Sequence, residues 1–336
     1  MATRPHPPGY RHGQGERDDD RAGGRSPLPA RPAPAAALAV LVLAACQDPT
    51  STSTSMLPVD FTRAERLGGR EVPAETLRRG AAIYTQSCRA CHGADGGGSG
   101  PSGRGLRPPP RDLRLGTYKF GAVGSGQLPT DDDLRRIISG GLHGTAMLSW
   151  DLPRPQLDDV IEYIKTFSER WRSELPGEPI VLAPDPWQSA GPGPDRVAEG
   201  IARGTRVYHG LAQCAVACHP AYVTRTEIAD FTTQLSHLRP QALRADPYAP
   251  VAKSSDYGYP IVPPDFTFNV LRAGSTAADI CRVVAAGVGG TAMPTWKNVL
   301  PDADLWALAH YVKSLAELRD TPAAIALRAA LLGQPR

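Results

Sequence analysis

Cys88-Arg-Ala-Cys91-His92 places two thiols three positions apart, with an imidazole directly after the second. On a helix this spacing brings both sulfurs to one edge of a ligand and turns the ring toward its centre. Thiols so placed can add across the two vinyl groups of a haem while the histidine reaches the iron, the C-x-x-C-H pattern of c-type haem attachment. Glycines at 93, 96, 97, 98 and 100 follow at once, freeing the backbone to leave the helix past a porphyrin rim. Two other chemistries use a C-x-x-C pair. A redox pair sits at a strand-to-helix turn of a βαβ unit, and no apolar strand precedes Cys88. A zinc knuckle wants a second cysteine or histidine pair nearby.

The chain then repeats itself. Thr130–Trp150 lies over Thr276–Trp296 without a gap, at a constant offset of 146 positions, and Gly-Thr-Ala-Met, ending at Met147 and Met293, is identical in both. Upstream, Arg79-Gly80-x-x-x-Tyr84 matches Arg203-Gly204-x-x-x-Tyr208. The second half should therefore carry its own haem motif, and between these anchors stands Cys214-Ala-Val-Ala-Cys218-His219. One extra residue separates its cysteines, which on a regular helix rotates the first sulfur by about 100°. Either a local bulge absorbs that residue and both thiols are bound, or Cys218 alone holds the haem and Cys214 is free. A π-type turn is the favoured form of such a bulge.

Glycine and proline stand at 34 each and aromatic residues at 6%, so the cores are small and the chain is rich in loops. The formal charge is +3. Residues 1–45 account for most of it, with six arginines against four acids. No Lys/Arg cluster of the kind that binds phosphate backbones is visible, which excludes a nucleic-acid partner. Residues 1–34 read as disordered. Ala35–Ala45 is an unbroken apolar run, too short to span a bilayer and of the length of a signal-peptide core. Leu43-Ala44-Ala45-Cys46 resembles a lipobox, which makes Cys46 a lipidation site followed by a Ser/Thr tether. Cys281 is left over, and is expected to be a small core residue or, if Cys214 is free, its disulfide partner.

These residues need helices to position them. Apolar spacing predicts one at Ala74–Cys88 and another at Asp131–Ser139, capped by Thr130. A third runs from Gln156 to Trp171 and buries Leu157, Val160, Ile161, Ile164 and Phe167. The same three recur at 196–211, 277–286 and 302–318. The resulting organisation is a leader at 1–46, a flexible tether at 47–70, one domain at 71–172 and a Pro-rich, semi-rigid linker at 173–194. A second domain at 195–320 follows, then a tail at 321–336. Within the second domain an insertion of about 27 residues lies in 220–263, with four tyrosines and no helical period.

The order helix, haem motif, loops, helix, methionine loop, final helix resembles class I cytochrome c, over nearly all of residues 71–172 and 195–320. The resemblance implies a mainly α fold of two tandem domains, each wrapped around one covalent haem. It implies that the first and last helices cross at Gly80, Tyr84 and Tyr163, and again at Gly204, Tyr208 and Tyr311. It makes His92 and Met147 the ligands of the first iron, and His219 and Met293 those of the second. His237 is the alternative ligand for the second iron, while His143, His209 and His310 are expected to be surface or packing residues. The carbonyls of Pro109–Pro110 and Pro263–Pro264 are the expected acceptors for the proximal imidazoles.

The functional expectation is a membrane-tethered dihaem cytochrome that passes single electrons between a donor and an acceptor protein outside the cytoplasmic membrane. The alternatives are an electron-transfer subunit of a larger respiratory or oxidoreductase complex and, less favoured, a two-haem peroxidase or thiosulfate-type dehydrogenase. Catalysis on haem needs an open or exchangeable iron position, which two His-Met sites do not offer.

Overall fold

The computed structural model describes residues 60–188, 195–236 and 243–333. Cys46, the apolar run before it and His237 lie outside the described residues. The described chain is mostly helical, with one two-stranded sheet.

The first half opens on an antiparallel hairpin, β1 Glu65–Leu67 and β2 Arg70–Val72, which crosses from the range expected to be a flexible tether into the first domain. Its strands are three residues long, too short for an alternating pattern to show. The turn is Gly68-Gly69, both at positive φ, and the hairpin is held by burying Leu67 and Val72 and by a Gly68 N–H bond to the Trp171 carbonyl at 2.6 Å. Helix α1 spans Ala74–Ser87 and the one-turn α2 spans Arg89–His92. Helix α3, Asp131–Gly140, begins in a reciprocal capping box between Thr130 and Asp133, which satisfies two orphan N–H groups at once. Helix α4 covers Arg154–Lys165 and a short α5 covers Arg170–Ser173.

The second half repeats this order. Helix α6, Val197–Arg206, runs into a π-turn at Val207–Leu211, and α7 follows at Cys214–Ala217. After the inserted segment come α9, Ala277–Ala286, with the same capping box between Thr276 and Asp279, and α10, Asp302–Glu317. Two helices depart from the sequence reading. The insertion contains α8, Arg225–Ser236, and the tail forms α11, Pro322–Leu332. The period of α8 is hidden because Thr232 occupies a core position beside Ile228. Its hydroxyl donates to the Ile228 carbonyl at 2.8 Å, so a polar residue is buried with its hydrogen bond made inside the helix.

In each half the first and last helices cross at a glycine. A Cβ on Gly80 would overlap the Asp159 carbonyl oxygen of α4 and crowd the Tyr163 side chain. One on Gly204 would overlap the Ala307 carbonyl of α10 and crowd Tyr311. Ion pairs close the crossings, Arg79 to Asp159 and Arg203 to Asp304, each with two short guanidinium–carboxylate bonds. The described part of the linker, residues 173–188, is packed along both halves. Ile180 N–H bonds Ala122 O in the first, while Trp187 Nε1 donates to Ala303 O and Asp185 meets His310 in the second.

Candidate functional site

Helix α1 delivers Cys88 to the start of α2. The Cys91 and His92 N–H groups both bond the Cys88 carbonyl, at 3.2 and 3.0 Å, which closes Cys88–His92 into one turn. In the second half the Cys214 carbonyl takes the same role, accepting from Cys218 and, at 3.0 Å, from His219. The donors have moved from the third and fourth residues to the fourth and fifth. The extra residue therefore widens the turn, and the histidine keeps its bond to the first cysteine of the motif. A second adjustment lies upstream. Tyr208 to Cys214 is two residues longer than Tyr84 to Cys88, and this length is taken up by the π-turn and by Gln213 in the left-handed region at φ 52°.

The two tyrosines make equivalent bonds. Tyr84 Oη donates to the carbonyl of Gly93, directly after His92, at 2.8 Å, and Tyr208 Oη to that of Pro220, directly after His219, at 2.9 Å. Each ties the crossing helices to the residue behind a candidate iron ligand.

The methionine loops match bond for bond. Leu142 N–H reaches Met147 O at 2.8 Å and Val288 N–H reaches Met293 O at 3.2 Å. Thr145 and Thr291 each donate a hydroxyl to the carbonyl of Leu142 or Val288, and accept from the methionine N–H. The loops turn on Gly141 and Gly287 at φ 67° and 77°, where any side chain would also strike the backbone after the methionine.

The imidazoles are oriented by carbonyls. His92 Nδ1 lies 3.0 Å from Arg111 O, one residue beyond the expected Pro109–Pro110, because the Pro110 carbonyl is turned toward Gly98. His219 Nδ1 lies 3.4 Å from Pro264 O, within the expected pair. A carbonyl can only accept, so it selects the tautomer protonated at Nδ1 and leaves the Nε2 lone pair for a metal. Burial lowers the pKa of His92 and brings that of His219 down to about 4, keeping both rings neutral. Burial also pushes the Cys88 thiol up to about 11 and Cys214 to about 12. Redox and zinc-binding thiols are shifted the other way, toward thiolate.

The remaining candidates are placed as follows. His209 is wholly buried, with Nδ1 2.8 Å from Thr205 O and Nε2 accepting the Tyr222 N–H at 3.1 Å. His310 Nε2 is 2.7 Å from Asp185, and His143 is exposed. Cys281 is a free thiol in the second core, its pKa raised to about 12 by burial. No disulfide joins any of the five described cysteines.

These residues fit a haem by their donor chemistry. Each half carries two thiols, a neutral imidazole and a methionine thioether, and among the described residues no cluster of three or more His, Cys, Asp or Glu could serve a zinc ion.

A family model described as Cytochrome C oxidase, cbb3-type, subunit III, matches residues 75–164, from α1 through α4. A chain of the Kuenenia stuttgartiensis reducing HAO-like protein complex is similar at a TM-score of 0.55 and 30% identity, over 70% of this chain and 95% of that one. No curated protein matches. The attachment motif, its carbonyl-oriented histidine and a relative matched over nearly its whole length lead to one conclusion: the chain belongs to the cytochrome c family.

Proposed function

We propose that this electron-transfer cytochrome binds two covalent haems, one per half, and carries single electrons between protein redox partners on the outer side of the cytoplasmic membrane. When bound, each haem supplies a one-electron Fe(III)/Fe(II) couple. The observation that carries the second haem is the widened turn, in which His219 keeps its bond to the Cys214 carbonyl despite the extra residue. Cys88 and Cys91 would hold the first haem by thioethers, and Cys214 and Cys218 the second. His92 and His219 present neutral Nε2 atoms, while Met147 and Met293 complete the two irons with thioethers that favour the reduced state. With both axial positions filled, the chain's task is to orient, bury and tune the haem rather than to turn over substrate at iron. A lipid on Cys46 would keep it beside membrane-bound partners. A second reading, a subunit docked in a larger redox assembly, is favoured by the relative's being part of a protein complex.

Intact mass and a pyridine haemochrome assay test the count, with two haems per chain expected. One haem, on a fragment containing Cys88, defeats the proposal. Met147→Leu and Met293→Leu should each remove about half of the weak sulfur-to-iron band of the oxidised protein.

A further inference from the structure

Three cations meet at the seam between the halves. The Arg111 guanidinium stacks over the Tyr257 ring, 3.6 Å from its centroid, and Lys119 Nζ stands 5.2 Å from the same centroid. Burial, then the charges of Arg111 and Arg272, bring the Lys119 pKa down to about 8. Among the described residues no carboxylate pairs with any of the three, Asp256 beside Tyr257 included. A ring face offsets only ~0.5–2 kcal/mol per cation, so partly buried like charges are left without a counterion.

Each cation is also bonded, through its own backbone, to a segment that carries a candidate iron ligand. The Arg111 carbonyl accepts from His92. The Lys119 carbonyl accepts the Gly289 N–H of the Met293 loop at 3.1 Å, and the Arg272 carbonyl accepts the His143 N–H of the Met147 loop at 3.0 Å. Tyr257 ties these together, its hydroxyl donating to the Gly289 carbonyl at 2.7 Å. The uncompensated charge therefore converges where the two ligand sets adjoin.

We infer that Arg111, Lys119 and Arg272 form a carboxylate site at the seam that takes haem propionates and so joins the two haem centres electrostatically. The inference rests on the two-haem reading. A propionate is a carboxylate the chain acquires only with its cofactor, which accounts for a cationic cluster that no acidic side chain answers. Each cation in turn favours the reduced iron, which carries one positive charge fewer than the oxidised one.

The test uses the haem-loaded protein with Lys119→Gln, Arg272→Gln and the double substitution. A redox titration resolves both haems, and mass spectrometry counts them. Both potentials should fall, further in the double variant than in either single one, and Lys119→Arg should restore the wild-type values. With haem labelled by carbon-13 at the propionates, the labelled carboxylate bands of the redox-difference infrared spectrum should shift as well. Two bound haems with potentials and labelled bands unmoved overturn the site, and a fall confined to one haem overturns the joining. A single haem per chain overturns the two-haem reading instead. Should the double variant fail to load haem, the single variants decide by the same readings.

Discussion

The two halves solve one problem with different parts. When a short helix ends at or just before the motif histidine, the carbonyls of the last cysteine and the histidine are left without donors. In the first half the glycine run folds back over them, Gly98 N–H reaching His92 O at 2.8 Å and Gly100 N–H reaching Cys91 O at 3.1 Å. This works because Gly98 sits at φ 77° and a side chain on Gly100 would overlap the Ala90 carbonyl. The second half has no such run after His219. Its insertion serves instead, Val251 N–H bonding Cys218 O at 2.9 Å and the Arg244 guanidinium bonding His219 O at 2.6 Å. The conserved requirement is the pair of satisfied carbonyls, and a tight glycine loop and a distant arginine meet it equally. The longer insertion thus has a structural task around the motif, beyond any surface it offers a partner.

The equivalence is broken most severely at the helix crossings. Gly80→Ala and Gly204→Ala each force a methyl group into a backbone carbonyl. Each should cost its own half on the order of 3 kcal/mol, the upper range for overpacking. Thermal melts followed at haem-sensitive and far-ultraviolet wavelengths would show it, and tolerance of either alanine would mean that the crossings differ. A smaller effect separates the halves at the carbonyls. Arg244→Gln should destabilise the second half by about 1–3 kcal/mol, the cost of an unpaired buried acceptor, and leave the first unchanged. Denaturant titration of the haem-loaded protein, with each half followed by its own Soret transition if both proposed haems are bound, checks this, and equal losses in both halves would contradict the division of labour.

The smallest difference is in acid. His209 has Thr85 at the matching place in the first half, and burial lowers its pKa from 6.5 to about 4. Between those values the unfolded chain binds a proton that the folded one does not, so stability falls as pH drops from about 6.5 toward 4. Protonated Nε2 could no longer accept the Tyr222 N–H. The second half should therefore melt at progressively lower temperature than the first across that window, and His209→Gln should flatten the trend. Parallel pH curves for wild type and variant would remove the His209 explanation.

Legibility differed from one feature to the next. The Thr130 cap rests on neighbouring residues, so its pattern survives in one dimension, whereas the glycine–tyrosine crossings were reached through the family resemblance. The β1–β2 hairpin escaped because three-residue strands show no period, and α8 because Thr232 stands where an apolar residue would mark the buried face. The Arg111 acceptor was displaced by one residue because a carbonyl's direction depends on the local path of the chain after Pro110. His310 of α10 became a partner of the linker only once Asp185 was folded against it.

Residue type and spacing alone nominated the groups proposed to carry the chemistry, since thiols, imidazoles and thioethers keep their reactivity wherever the chain puts them, and the repeat at a fixed offset marked a second copy of the same helix order. Tertiary structure alone decided how the irregular motif closes its turn, which distant donors serve its carbonyls, and that Arg111 and Lys119 meet over Tyr257 with the Arg272 charge acting on Lys119. These contacts join residues far apart in sequence, and their energies depend on burial and distance, which no spacing along the chain encodes.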